Sequence, residues 1–124
     1  MRFVSIVAAL ALIEYLVILL MTGRARATHN VQAPATTGHP VFDRWYRVQQ
    51  NTVEQLVVFL PALFLFANYV SPRWAGWIGL LFVIGRIVYA RSYVADPGSR
   101  GTGFVIGFAA NAVLVLGAFL GALF

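Results

Sequence analysis

The chain has 124 residues, 60% of them hydrophobic and only 10% charged, with a net charge of +5. That balance leaves too little polar surface to clothe a water-soluble domain, so an ordinary soluble enzyme is excluded. All nine basic residues are arginines that lie in or beside apolar runs, so no exposed basic patch points to nucleic acid.

A membrane span needs about 20 apolar residues. Four runs qualify, at roughly 3–22, 52–70, 74–95 and 102–124. They are continuous rather than alternating, which favours helices over a transmembrane barrel. The expected fold is an all-α integral membrane protein: one four-transmembrane-helix bundle over residues 1–124.

The first run follows Arg2 and is longer than the apolar region of a typical signal peptide, so a retained span is expected. Glu14 sits near its middle. An isolated carboxylate at that depth is costly, so it should be protonated or paired inside the bundle, most simply through an interhelical hydrogen bond. Thr22 to Val41 is the one long connection; Gly23, Pro34, Thr36-Thr37-Gly38 and Pro40 punctuate it.

Helix two is expected from Phe42 to Tyr69, with a kink at Pro61. Its start is polar, and Arg47, Asn51 and Glu54 stand at i, i+4 and i+7 on one face. Val70-Ser71-Pro72-Arg73 makes a tight turn. Trp74 and Trp77 then fall where an aromatic belt lies. The third run carries a second polar stripe, Arg86, Tyr89 and Tyr93, at i, i+3 and i+7. Asp96-Pro97-Gly98-Ser99 is turn chemistry. The fourth run has Gly103-xxx-Gly107 and Gly117-xxx-Gly121, spacings that permit close helix packing, and Asn111, suited to interhelical hydrogen bonding.

Charge sets an expected orientation. Arg24, Arg26, Arg44 and Arg47 cluster after the first run, and Arg91 and Arg100 after the third, against Arg2 and Arg73 on the other side. The positive-inside rule then places both termini outside and loops one and three in the cytoplasm. Cysteine is absent, which removes disulfides, thiolate metal sites and a cysteine nucleophile. His29 and His39 lack metal-ligand spacing, so no metal is expected.

Ionisable groups at membrane depth are expensive and usually face a bundle interior or a polar pocket. Two such stripes in so small a chain suggest a polar ligand held near the membrane surface. The plainer alternatives are an interfacial stripe with Arg47 snorkelling, aromatic anchoring by the two tyrosines, and a structural salt bridge from Arg86 to Glu14 or Glu54.

The stretch from Thr36 through Trp45-Tyr46-Arg47-Val48-Gln49-Gln50-Asn51-Thr52-Val53-Glu54 resembles the signature of the MAPEG family, the membrane-associated proteins of eicosanoid and glutathione metabolism. Gly85-Arg86-Ile87-Val88-Tyr89-Ala90-Arg91-Ser92-Tyr93 is similar to that family's third-helix motif. The resemblance covers nearly the whole chain and is closest to compact bacterial, microsomal glutathione transferase-like members.

The resemblance implies a homotrimer that binds glutathione between subunits near the cytoplasmic face. No metal enters. It implies cofactor-binding roles for Arg26, Arg47, Gln49, Asn51, Glu54, Arg86, Tyr89 and Tyr93. Arg47 suits a carboxylate, Glu54 the ammonium, and Asn51 an amide or carboxylate. Arg100 matches the arginine that activates the thiol in the leukotriene synthases, and Tyr93 is the next catalytic candidate. Gln55 stands where those synthases often have tyrosine, which weighs against eicosanoid specificity.

The implied activity is a membrane-bound glutathione transferase, with glutathione peroxidase activity as a second expectation, acting on lipophilic substrates taken from membrane lipid. A bacterial inner membrane is its expected location. The alternative is a non-catalytic lipid-binding or scaffold protein of the same fold, since fold does not decide activity. A transporter subunit fits least, because no run shows the broken-helix pattern of transporters.

Overall fold

The computed structural model describes residues 1–124 as four long helices: α1 (Arg2–Thr28), α2 (Pro40–Tyr69), α3 (Pro72–Ala95) and α4 (Gly101–Leu123). A single 3₁₀ turn, Pro97–Ser99, joins α3 to α4. All four helices are long and apolar enough to cross a membrane.

The helix starts follow local chemistry. His39 caps α2, its Nδ1 accepting the Val41 N–H at 3.1 Å, with Pro40 in the first helical position. Ser71 caps α3 in the same way through the Trp74 N–H at 3.3 Å, with Pro72 next. Helix α2 therefore begins two residues before the expected Phe42. It runs uninterrupted through Pro61, which is exposed. At 30 residues it is about 45 Å long, so one end must project beyond a hydrocarbon core of about 30 Å.

The larger departure is loop one. The expected connection began at Thr22, but α1 continues to Thr28. Gly23 breaks nothing, because the residues around it are good helix formers and the next turn is anchored. Thr22 donates to the Ile18 carbonyl at 2.8 Å and the Trp45 carbonyl at 3.3 Å, and Ala25 is buried. What remains of the loop is organised by Asp43. Its carboxylate accepts from Thr37 Oγ1 and from the Gly38 N–H, each at 3.0 Å.

Short connections make α3 antiparallel to both α2 and α4, which also pack on each other, and α1 packs on α2 and α3. The core runs along the shared faces: Val4, Val7 and Ala11 of α1, Phe59, Leu63 and Phe66 of α2, Phe82 of α3, and Leu114 of α4. Phe59 and Phe82 stack with centroids 3.9 Å apart. Outward faces are apolar as well, including Leu16, Leu20, Val57, Trp74, Trp77, Val105 and Phe119. That is the surface of a protein whose solvent is lipid.

Small residues set the α3–α4 distance, as the glycine spacing predicted. A Cβ added at Gly103 would overlap the backbone nitrogen of Tyr89, and one at Gly85 would lie 2.9 Å from the Gly107 nitrogen. Lower down, Gly117 and Gly121 face Phe66 and Val70 at the end of α2. Asn111 joins α4 to α2 by donating to Gln55 Oε1 at 3.2 Å. The interhelical hydrogen bond expected of Glu14 is not made: its buried Oε2 has no hydrogen-bond partner.

Candidate functional site

The close α3–α4 crossing lies at the end of the bundle where α2 and α4 begin and α3 finishes. Above it a cavity of about 530 Å³ opens, lined by Arg47 and Asn51 of α2, Tyr89 and Tyr93 of α3, and Arg100 and Phe104 at the start of α4. Helical spacing explains each pair. Arg47 and Asn51 are one turn apart, as are Tyr89 and Tyr93, and Arg100 and Phe104.

The walls are well defined. Tyr89 is buried, and its ring stacks on Tyr93 at 5.7 Å with 25° between planes. Phe104 leans on Tyr89 at 6.5 Å. Gly103 lets the α4 backbone meet Tyr89 directly, which brings Arg100 and Phe104 over the tyrosines. Arg44, on α2, donates to the Val94 carbonyl at 3.0 Å and ties the start of α2 to the last turn of α3.

Electrostatically the lining is one-sided. Arg47 and Arg100 contribute two guanidinium groups, and no carboxylate lines the cavity. Arg100 spends one donor on the Pro97 carbonyl at 2.9 Å, which anchors it to the 3₁₀ turn and leaves its other N–H groups free. The amino end of α4 adds the positive end of a helix dipole. Asn51 lines the cavity, and its buried Oδ1 has no hydrogen-bond partner within the chain. The arrangement suits an anionic ligand that also carries N–H groups. No His, Cys, Asp or Glu cluster capable of holding a metal is present.

The remaining sequence candidates lie elsewhere. Arg86 is buried beneath the cavity, donating to Thr52 Oγ1 at 2.8 Å, rather than bridging to Glu14 or Glu54. Arg26 is occupied in loop one, donating to the Ala35 carbonyl at 2.9 Å and lying 4.6 Å from the Phe42 ring centroid. Gln49 and exposed Glu54 are on α2 but outside this cavity. Sequence reasoning missed Phe104. The signal was available, since Phe104 stands one helical turn after Arg100.

Four spanning helices around a polar, cationic cavity at one end define an integral membrane protein. The chain belongs to the MAPEG family, whose model matches residues 4–120. It is 46% identical over 116 residues to an uncharacterized Synechocystis protein, an alignment covering 94% of this chain and 85% of that one. It is 38% identical over 104 residues to microsomal glutathione S-transferase 2 of Homo sapiens, covering 84% of this chain and 69% of the human protein. Leukotriene C4 synthase of Cavia porcellus is 36% identical over 77 residues, covering 62% of this chain but only 51% of the synthase.

Proposed function

We propose that the chain is a membrane-bound glutathione transferase that joins the glutathione thiolate to lipophilic electrophiles. One observation carries the reading: the cavity is lined by two arginines, an asparagine and two tyrosines, and by no acid. Glutathione offers matching groups, namely two carboxylates, amide N–H groups and a thiol. Relatives named as glutathione transferases support it.

In this reading Arg47 clamps a carboxylate and Asn51 accepts from an amide. Tyr89 and Tyr93 form the wall, and Arg100 faces the sulfur. A free thiol with pKa near 8.5 is only a few per cent ionised at neutral pH. Lowering it by two units requires about 2.7 kcal/mol. A guanidinium about 4 Å away contributes about 4 kcal/mol at an effective dielectric near 20, so Arg100 is sufficient. The thiolate then attacks an electrophilic carbon, forming the C–S bond as the leaving group departs or the acceptor π-bond takes up the electron pair and then a proton. The Tyr93 hydroxyl is a second donor to sulfur.

The apolar partner comes from lipid. Two grooves between α2 and α4, of about 360 and 330 Å³, are lined mostly by apolar groups such as Val58, Phe108, Val115 and Phe119. We further propose a homotrimer in which Arg26, Gln49 and Glu54, all outside the single-chain cavity, reach the site across a subunit interface. Loops one and three would face the cytoplasm of a bacterium, where glutathione is kept reduced.

Thermal unfolding of the purified protein with and without glutathione is the first test. Stabilisation that saturates supports the site, and product formation with a model electrophile or an organic peroxide then separates transfer from peroxide reduction. No stabilisation at any concentration favours the non-catalytic alternative.

A further inference from the structure

Arg86 is the largest fully buried side chain in the bundle, at 1% exposed. A guanidinium at that depth is expensive and calls for a reason. It does not line the cavity, and Tyr89, one turn further along α3, does. Ion pairing is not the reason. The nitrogen that finds a partner donates to Thr52 Oγ1, Nε has none, and Glu14 Oε2 also remains alone. The second contact Arg86 makes is with Tyr89: its guanidinium carbon stands 4.2 Å from the ring centroid. Gly107 of α4 lies beside the stem: a Cβ there would make an ordinary contact with Arg86 Cδ at 3.5 Å.

These contacts form a chain from core to cavity. Thr52 of α2, itself 1% exposed, holds the guanidinium; the guanidinium faces the Tyr89 ring; that ring backs Tyr93 and Phe104. We propose that Arg86 is a positioning residue, clamped by Thr52, whose guanidinium holds Tyr89 in place and so sets the cavity wall that Tyr93 and Phe104 complete. Arginine is required because a planar guanidinium donates in its plane while its face covers a ring; an ammonium does not combine the two in that geometry. The stake is the shape of the proposed glutathione site, so the binding part of the claim rests on that reading, while the Arg86–Tyr89 coupling itself does not.

A double-mutant cycle tests both parts. Arg86→Met, Tyr89→Leu and the double variant are compared with the parent for thermal stability without ligand and for glutathione affinity of the folded protein in lipid nanodiscs. If Arg86 acts through Tyr89, the double variant is no weaker a glutathione binder than Tyr89→Leu alone. Arg86→Lys weakens binding about three- to tenfold, a part of the worth of a desolvated cation–π contact, while Tyr89→Phe, which keeps the ring, stays coupled to Arg86. Thr52→Val, which preserves shape and removes the anchor, shifts affinity in the same direction as Arg86→Lys.

Additive losses overturn the proposal, as does an Arg86→Lys variant that binds like the parent. If the parent itself binds no glutathione, the transferase reading fails; the ligand-free cycle then decides alone, and additive stability losses refute the coupling. Should Arg86→Met not fold, Arg86→Lys and Thr52→Val, each paired with Tyr89→Leu, complete the same cycle.

Discussion

Gly103→Ala adds a single methyl where the structure has no room for one. The new Cβ would overlap the Tyr89 backbone nitrogen and lie 2.9 Å from the Gly85 carbonyl oxygen. Ordinary carbon contacts need about 3.5 Å or more, so the two helices must part locally. Backbone cannot swing aside as a side chain does, and overpacking of this kind costs about 1–3 kcal/mol. The parting also carries Arg100 and Phe104 away from Tyr89, which widens the cavity. Gly101→Ala is the matched control: it lies two residues earlier in the same helix and meets nothing within 4 Å. There the change should be neutral or raise stability by up to about 1 kcal/mol, because alanine is the better helix former. Thermal unfolding and glutathione titration of both variants in nanodiscs provide the comparison. A Gly103→Ala protein as stable and as tightly binding as Gly101→Ala would refute the claim that this contact builds the site.

Three further outcomes follow from the same geometry. Arg47→Ala should weaken glutathione binding by about 1.5–3 kcal/mol, the worth of a charge-assisted bond, measured by calorimetric titration. Arg100→Ala should leave that affinity nearly intact while lowering turnover with a model electrophile at neutral pH, because its charge acts on the sulfur; an unchanged rate would leave Tyr93 as the activating group. Asp43→Ala removes the acceptor for Thr37 and Gly38 and should cost about 1–2 kcal/mol, with faster proteolysis confined to residues 29–39.

Much of this was legible in the sequence, for identifiable reasons. Continuous apolar runs leave helices as the only spanning solution, so four spans could be read with no knowledge of packing. Polar residues spaced by helical turns inside those runs had to face something other than lipid. The structure brings Arg47, Asn51, Tyr89, Tyr93 and Arg100 to one cavity.

The rest depended on contacts that periodicity does not encode. Arg86 shares the stripe of Tyr89 and Tyr93, yet one turn of depth places it under the cavity, where Thr52 rather than a carboxylate receives it. Gly23 and the run Arg24 to Thr28 read as loop because glycine and polar residues dominate locally, but burial of Thr22 and Ala25 against α2 keeps the helix going. Arg26 matched a ligand contact by resemblance, and within one chain its Nη1 closes loop one by donating to the Val31 and Ala35 carbonyls. Phe104 was passed over because an aromatic in an apolar helix is ordinary until the Arg100 face is known to line a cavity.

The central claim is that this cavity holds glutathione as a thiolate. Thiolate absorbance near the ultraviolet edge, followed against pH with glutathione bound to the parent protein, measures that state directly. The account predicts a titration midpoint below about 7.5, at least one unit under the free thiol. A midpoint that stays near 8.5 with saturating glutathione would contradict it.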